Sequence, residues 1–157
     1  MNQDVQLLVF QLDSHCYGVR LALVERVIHA VESAPLPGAP DIVYGVINHR
    51  GQILPVINLR KRFGFPLRDV LVTDQFVITA TAKRAVALAV DRVQGMVTRP
   101  EHEVVASERI LDDAGQIEAA VQIGDDLVLV HDLEHVLSQD ELRVLDDALA
   151  RRSSDGE

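Results

Sequence analysis

The sequence predicts a mainly β protein made of two small barrels, with short helices and one helix at the C-terminal end. Three observations carry this. Short runs rich in Val, Ile and Leu recur along the 157 residues, separated by turn-forming residues. A helix-prone break near residues 59–66 divides these runs into two groups, which suits two barrels better than one sandwich. A capping box opens a single clear helix near the end of the chain.

The elements follow in order. Residues 6–12 alternate, with Leu8, Phe10 and Leu12 on one face and Val9 and Gln11 on the other, as in a strand with a core side. Asp13-Ser14-His15 is a turn, and Cys16 to Arg20 returns as a strand. Leu21 to Arg26 suits a helical turn before the chain extends through Val27-Ile28. Residues 33–40 hold three prolines and a glycine, which make a rigid connection rather than regular structure.

From Gly45 to Leu59, two β-branched runs flank the polar break His49-Arg50-Gly51. This reads as a hairpin with Gly51 in the turn, where φ > 0 costs glycine nothing. Pro55 lies in the second run and cannot donate to a ladder, so that strand is expected at a sheet edge or bulged. The hairpin holds a long cation, Arg50, at its tip. It carries no catalytic group and suits contact with another protein.

Leu59 to Phe63 is a short helix stopped by Gly64 and Pro66. Its Arg60-Lys61-Arg62 is the densest basic cluster and is expected to be the solvated face of that helix. Further strands are expected at Gln75–Thr81, Ala85–Val93, Met96–Arg99, Glu118–Ile123 and Leu127–Val130. Residues 101–116 read as a long loop with turn chemistry at Asp112-Asp113-Ala114-Gly115. The final helix, 138–152, has Ser138 as N-cap and Glu141 at N3, with Leu137 and Leu142 as a staple. Leu142, Leu145 and Leu149 share its apolar face, which is expected to dock on the second barrel. Arg143 with Asp147, and Asp147 with Arg151, are expected i,i+4 pairs, and residues 153–157 are expected to fray.

Composition narrows the function. A hydrophobic fraction of 48% marks a folded domain with a core, and 157 residues suffice for one. A net charge of −9 and an aromatic content of 4% argue against nucleic acid, which needs clustered cations and stacking rings. The lone Cys16 cannot form an intrachain disulfide, which fits a reducing compartment. There is no signal-peptide pattern and no apolar run near ~18 residues. The expected location is the cytoplasm.

Several of these segments, taken in order, carry a resemblance. They are Leu8-Val9-Phe10-Gln11-Leu12 with Tyr17-Gly18-Val19, Val24 to Ile28, Leu36-Pro37-Gly38-Ala39-Pro40 and Gly45 to Leu59. Ala87 to Val93 and Leu127 to Leu133 follow at matching spacing. The set resembles the CheW-like domain over about residues 6–140, one domain within 1–157. The resemblance implies two five-stranded, Src-homology-3-like barrels, interleaved in the chain and sharing a core. It implies a non-catalytic chemotaxis adaptor with no cofactor, which couples the signalling tip of chemoreceptors to a CheA-type histidine kinase. Service in a pilus, gliding or second-messenger pathway is the near alternative.

The same resemblance implies that Arg50 and Gly51 lie on the kinase-docking face. Val24 and Val27 match apolar positions near that face and the receptor-facing groove, although core packing explains them equally well. Many relatives carry a glutamate at the position of Arg26. Here the order is Val24-Glu25-Arg26-Val27, so that contact is either reversed or moved onto Glu25.

Two other chemistries have candidate residues. His131 and His135 at i,i+4 with Asp132 suggest a metal-dependent hydrolase, but the other histidines are scattered, and Asp132 is more simply a helix N-cap before Leu133–Leu137. Cys16 has only His15 beside it and reads as a small half-buried residue rather than a nucleophile.

Overall fold

The computed structural model describes residues 4–81, 84–106 and 117–154. β1 (Asp4–Leu12) and β2 (His15–Arg20) form a hairpin, and a 3-10 turn at Leu21–Leu23 leads into β3 (Val24–His29). A second hairpin, β4 (Val43–His49) and β5 (Gln52–Asn58), runs into α1 (Leu59–Phe63). Then come β6 (Gln75–Ala80), β7 (Ala85–Val90), β8 (Arg92–Pro100), β9 (Val104–Ala106), β10 (Ile117–Ile123) and β11 (Asp126–His131). A 3-10 turn at Leu133–His135 precedes α2 (Gln139–Ser154).

The strands form two sheets. The first has six strands in the order β8-β1-β2-β11-β10-β9, and the second five in the order β3-β6-β7-β5-β4. The fold is mainly β, as expected, but the sheets do not divide at residues 59–66. The chain leaves the first sheet after β2, builds the whole second sheet from β3 to β7, and returns with β8. The first sheet exceeds five strands because β9 lies in the stretch read as a loop. Asp112 to Gly115 lie outside the described residues.

The expected strand Ala85–Val93 is two strands broken at Asp91, where the chain crosses between sheets. Pro55 lies neither on an edge strand nor at a bulge. β5 sits between β7 and β4, and the register with β4 is regular at Val46↔Pro55. Proline is accommodated because parallel pairing with β7 begins only at Val56.

Alternation sorts side chains between cores. Leu8, Phe10 and Leu12 of β1 join Val77, Val86, Leu88 and Val90 of the second sheet in one shared core. The opposite faces fill two smaller cores: Leu7, Val9, Val121, Val128 and Val130 in one, Ile47, Leu54, Phe76 and Ile78 in the other. Strands such as β7 are therefore buried on both faces and read as nearly continuous apolar runs.

α1 begins at Asn58, whose side chain accepts the Lys61 N–H at 3.1 Å, and ends at Gly64 with φ of 80°. Its first cation is not solvated. Arg60 is buried, and its Nη2 lies 2.7 Å from both Asp13 Oδ1 and Asp91 Oδ2. Asp91 also accepts from Arg68 Nη2 at 2.8 Å, and Arg68 makes a two-pronged pair with Asp74. Burial works against the Arg60 charge, but Asp91 and Asp13 outweigh it and hold its proton more tightly than usual.

α2 packs on the shared core through Leu145 and Ala148 rather than on one barrel alone. Its capping box is formed: Ser138 N–H donates to Glu141 Oε1 at 2.9 Å, and Glu141 N–H to Ser138 Oγ at 3.1 Å. Arg62 of α1 pairs with Glu141, and Arg84 with Asp146. Arg143 pairs with Asp140, one turn N-terminal, instead of Asp147. Ser153 and Ser154 still belong to α2 rather than to a frayed tail, and residues 155–157 lie outside the described residues.

Two predictions follow from these ion pairs. Arg60→Ala leaves Asp91 with Arg68 and takes the cation from the exposed Asp13, so it should cost about 2 kcal/mol, the scale of charge-assisted hydrogen bonds and less than a fully buried broken pair. Urea unfolding with an unchanged slope measures it, and a loss below ~0.5 kcal/mol would show the network to be incidental. For Glu141, burial pushes the carboxyl up, but Arg62 and the Ser138 N–H outweigh it and hold it below its usual 4.5. A lowered folded value means stability that is complete above pH 4.5 and lost as pH falls through the folded value. Glu141→Gln should flatten the loss of helical signal in that acid window; an unchanged profile would refute the assignment.

Candidate functional site

The β4–β5 hairpin closes through a two-residue loop, Arg50-Gly51, between the paired His49 and Gln52. Both loop residues are left-handed, Arg50 at φ of 56° and Gly51 at 84°. This is the sign pattern of a type I′ turn, whose twist matches the flanking strands. Gly51 was expected there from sequence. Arg50 was expected at the tip but not in the left-handed region, where a side chain costs roughly 1–2 kcal/mol. The Gly51 N–H donates to Asn48 Oδ1 at 2.8 Å. Arg50 is exposed.

β3 carries the other candidates. Its register with β6 passes from Val24↔Thr79 to Arg26↔Ile78, leaving Glu25 as the extra residue of a β-bulge. The bulge breaks the alternation. Glu25 and Arg26 both face solvent, while Val24 and Val27 are partly buried against the shared core. Strict period-two reading would put Val24 and Arg26 on one face; the spacing of the two valines was the signal that it fails here. β3 and β4 are the two outer strands of the five-stranded sheet. Arg26 and Arg50 thus belong to one sheet but are not neighbours in its pairing order.

The histidine pair does not share a helix. His131 ends β11, is fully buried, and packs on Phe63 with ring centroids 4.7 Å apart. His135 is exposed in the following turn, its Nδ1 2.7 Å from Asp132 Oδ2. Asp132 is an N-cap, its Oδ1 accepting the Glu134 N–H at 3.0 Å. Among the described residues, no three His, Cys, Asp or Glu side chains are placed to hold a metal ion.

Cys16 Sγ lies 3.5 Å from Gln94 Oε1. Burial and then Asp126 push its thiol up, the reverse of nucleophile activation. Among the described residues, no helix is long and apolar enough to cross a membrane.

The remaining candidates are turn and edge-strand residues of a two-sheet protein. The CheW-like domain family matches residues 6–141. The chain belongs to that family. It is 27% identical to the chemotaxis protein CheW of Treponema pallidum (strain Nichols), over 92% of this chain and 88% of that protein. It is 28% identical to the chemotaxis protein CheW of Bacillus subtilis (strain 168), over 86% of this chain and 88% of the relative. The crystal structure of the scaffolding protein TtCheW from Thermoanaerobacter tengcongensis superposes with a TM-score of 0.80 at 25% identity. That likeness covers 88% of this chain and 96% of the other. These near full-length matches liken the chain to a stand-alone CheW.

The turn makes opposite predictions for adjacent residues. Arg50→Asn should raise stability by up to about 1 kcal/mol, since asparagine tolerates the left-handed region. Gly51→Val should lower it by ~1–2 kcal/mol or more. A Cβ at Gly51 meets nothing within 4 Å, so backbone strain alone sets the loss. Thermal melts of both variants give the check, and equal shifts of one sign would show that the loop is not in this conformation.

Proposed function

We propose that this protein is a non-catalytic adaptor of the cytoplasm that couples chemoreceptor signalling tips to a CheA-type histidine kinase. Family and fold support the scaffold role. The observation that carries the contact assignment is Arg50, an exposed arginine kept in a left-handed turn position that asparagine or glycine would occupy at lower cost. A site that keeps such a residue is using its side chain. Arginine reaches carboxylates bidentately and is enriched where proteins meet. Arg26, exposed beside the bulge, adds a second cation to the same sheet. In a chain of net charge −9, these two positions suit an acidic patch on the partner. Val24 and Val27 serve mainly to seat β3 on the core.

The test is reconstitution. The protein should co-sediment with its receptor fragment and raise kinase autophosphorylation only when all three components are present. Arg50→Glu should weaken kinase binding at least tenfold with the fold intact. Arg26→Glu should weaken it less, with the difference shrinking at higher salt. Calorimetry at two salt concentrations provides the measurement. Equal affinity of both variants and the wild type for the kinase would remove these arginines from the interface.

A further inference from the structure

We infer that Asn48 is the positioning residue of the proposed contact: its side chain holds the Arg50-Gly51 loop in the conformation that aims Arg50 at the partner. This rests on the proposed role of Arg50 and deepens it. Asn48 is exposed and lies in β4, two residues before the arginine. Its Oδ1 accepts the Gly51 N–H at 2.8 Å, so the bond spans the residue whose backbone is left-handed. The His49–Gln52 pair fixes the ends of the loop, and a Cβ at Gly51 would meet nothing within 4 Å, so no packing supports that side of it. Within the loop, the Asn48 side-chain hydrogen bond supplies the further restraint.

The consequence is conformational. Without the acceptor at Asn48, the Gly51 N–H turns to water and Arg50 is free to relax towards negative φ, its ordinary region. The guanidinium then leaves the direction set by the β4–β5 ladder. An Asx-type bond of this kind is local and replaces no core contact. Its loss should be felt in partner affinity more than in folding.

A double-mutant cycle on full-length protein, titrated into the CheA-type kinase, tests this. Asn48→Ala should weaken binding about fivefold, the scale of one net hydrogen bond. Asn48→Asp keeps the acceptor oxygen but adds a charge facing the partner's acids, so it should bind within twofold of the wild type at raised salt, where that charge is screened. In an Arg50→Ala background, Asn48→Ala should have no further effect, because it acts through the arginine. The backbone scalar coupling of Arg50 should shift towards negative φ in Asn48→Ala and stay unchanged in Asn48→Asp. If Asn48→Ala weakens binding equally with and without Arg50, or leaves the Arg50 coupling unmoved, the inference is wrong while the interface reading stands. If Arg50→Ala alone binds like the wild type, both fall.

Discussion

The architecture depends on keeping Arg60 charged and paired at the place where the two sheets are stitched together. Asp91 is the single residue between β7 and β8, so it marks the chain's return from the second sheet to the first. Asp13 sits in the β1–β2 turn of the first sheet, and Arg60 follows β5 of the second. One guanidinium joins all three. Arg68 then ties Asp91 to Asp74 at the start of β6. The Asp13 N–H donates to Asp91 at 2.7 Å, and the Asp91 N–H to Gln11 O at 3.0 Å. Such a cluster adds little net stability over an apolar substitute, but removing one partner is costly. What it does in the fold is connect the β1–β2 turn, the β7–β8 crossover, α1 and the start of β6.

That network bears on the surface. β4 and β5 are anchored through the shared core and through α1, which carries Arg60. The hairpin therefore leaves the body in a direction set by that packing, with the two-residue loop at its tip. Strain confined to Arg50 is tolerable because the ladder on either side and the Asn48 hydrogen bond together hold the turn. On the opposite edge, the Glu25 bulge does related work by turning two successive charges outward without unseating Val24 and Val27. One sheet thus presents cations at both edges while its interior packs normally.

Much of this was legible in the sequence. The short β-branched runs, the rigid proline-rich link, Gly51 at positive φ and the Ser138–Glu141 box are local properties, set by residues close in sequence. What escaped were long-range facts. Arg60 looks like a surface cation because its partners Asp13 and Asp91 are remote in the chain. The interleaving of the sheets came with the family resemblance and from no local pattern, because β8 and β11 pair with β1 and β2 across most of the chain. Pro55 misled because the rule assumes a full ladder on both sides, whereas β7 pairs with β5 only beyond it. Arg50 at positive φ went unnoticed since arginine gives no turn signal.

An adaptor in the proposed role needs weak, directional contacts rather than a deep site. A loop of two residues and an edge strand offer little area, below what a tight permanent interface buries. Holding receptor and kinase in one lattice raises their local concentration, and modest contacts then suffice. Under that requirement orientation matters more than strength, because an arginine aimed wrongly closes no lattice however favourable its single contact. A strained turn clamped by Asn48, on a hairpin anchored through the shared core, supplies orientation at small cost in stability. In the proposed role, partner choice would rest on charge: the acidic surface attracts basic partners in general, and only a partner with acids opposite Arg50 and Arg26 would gain from these two positions.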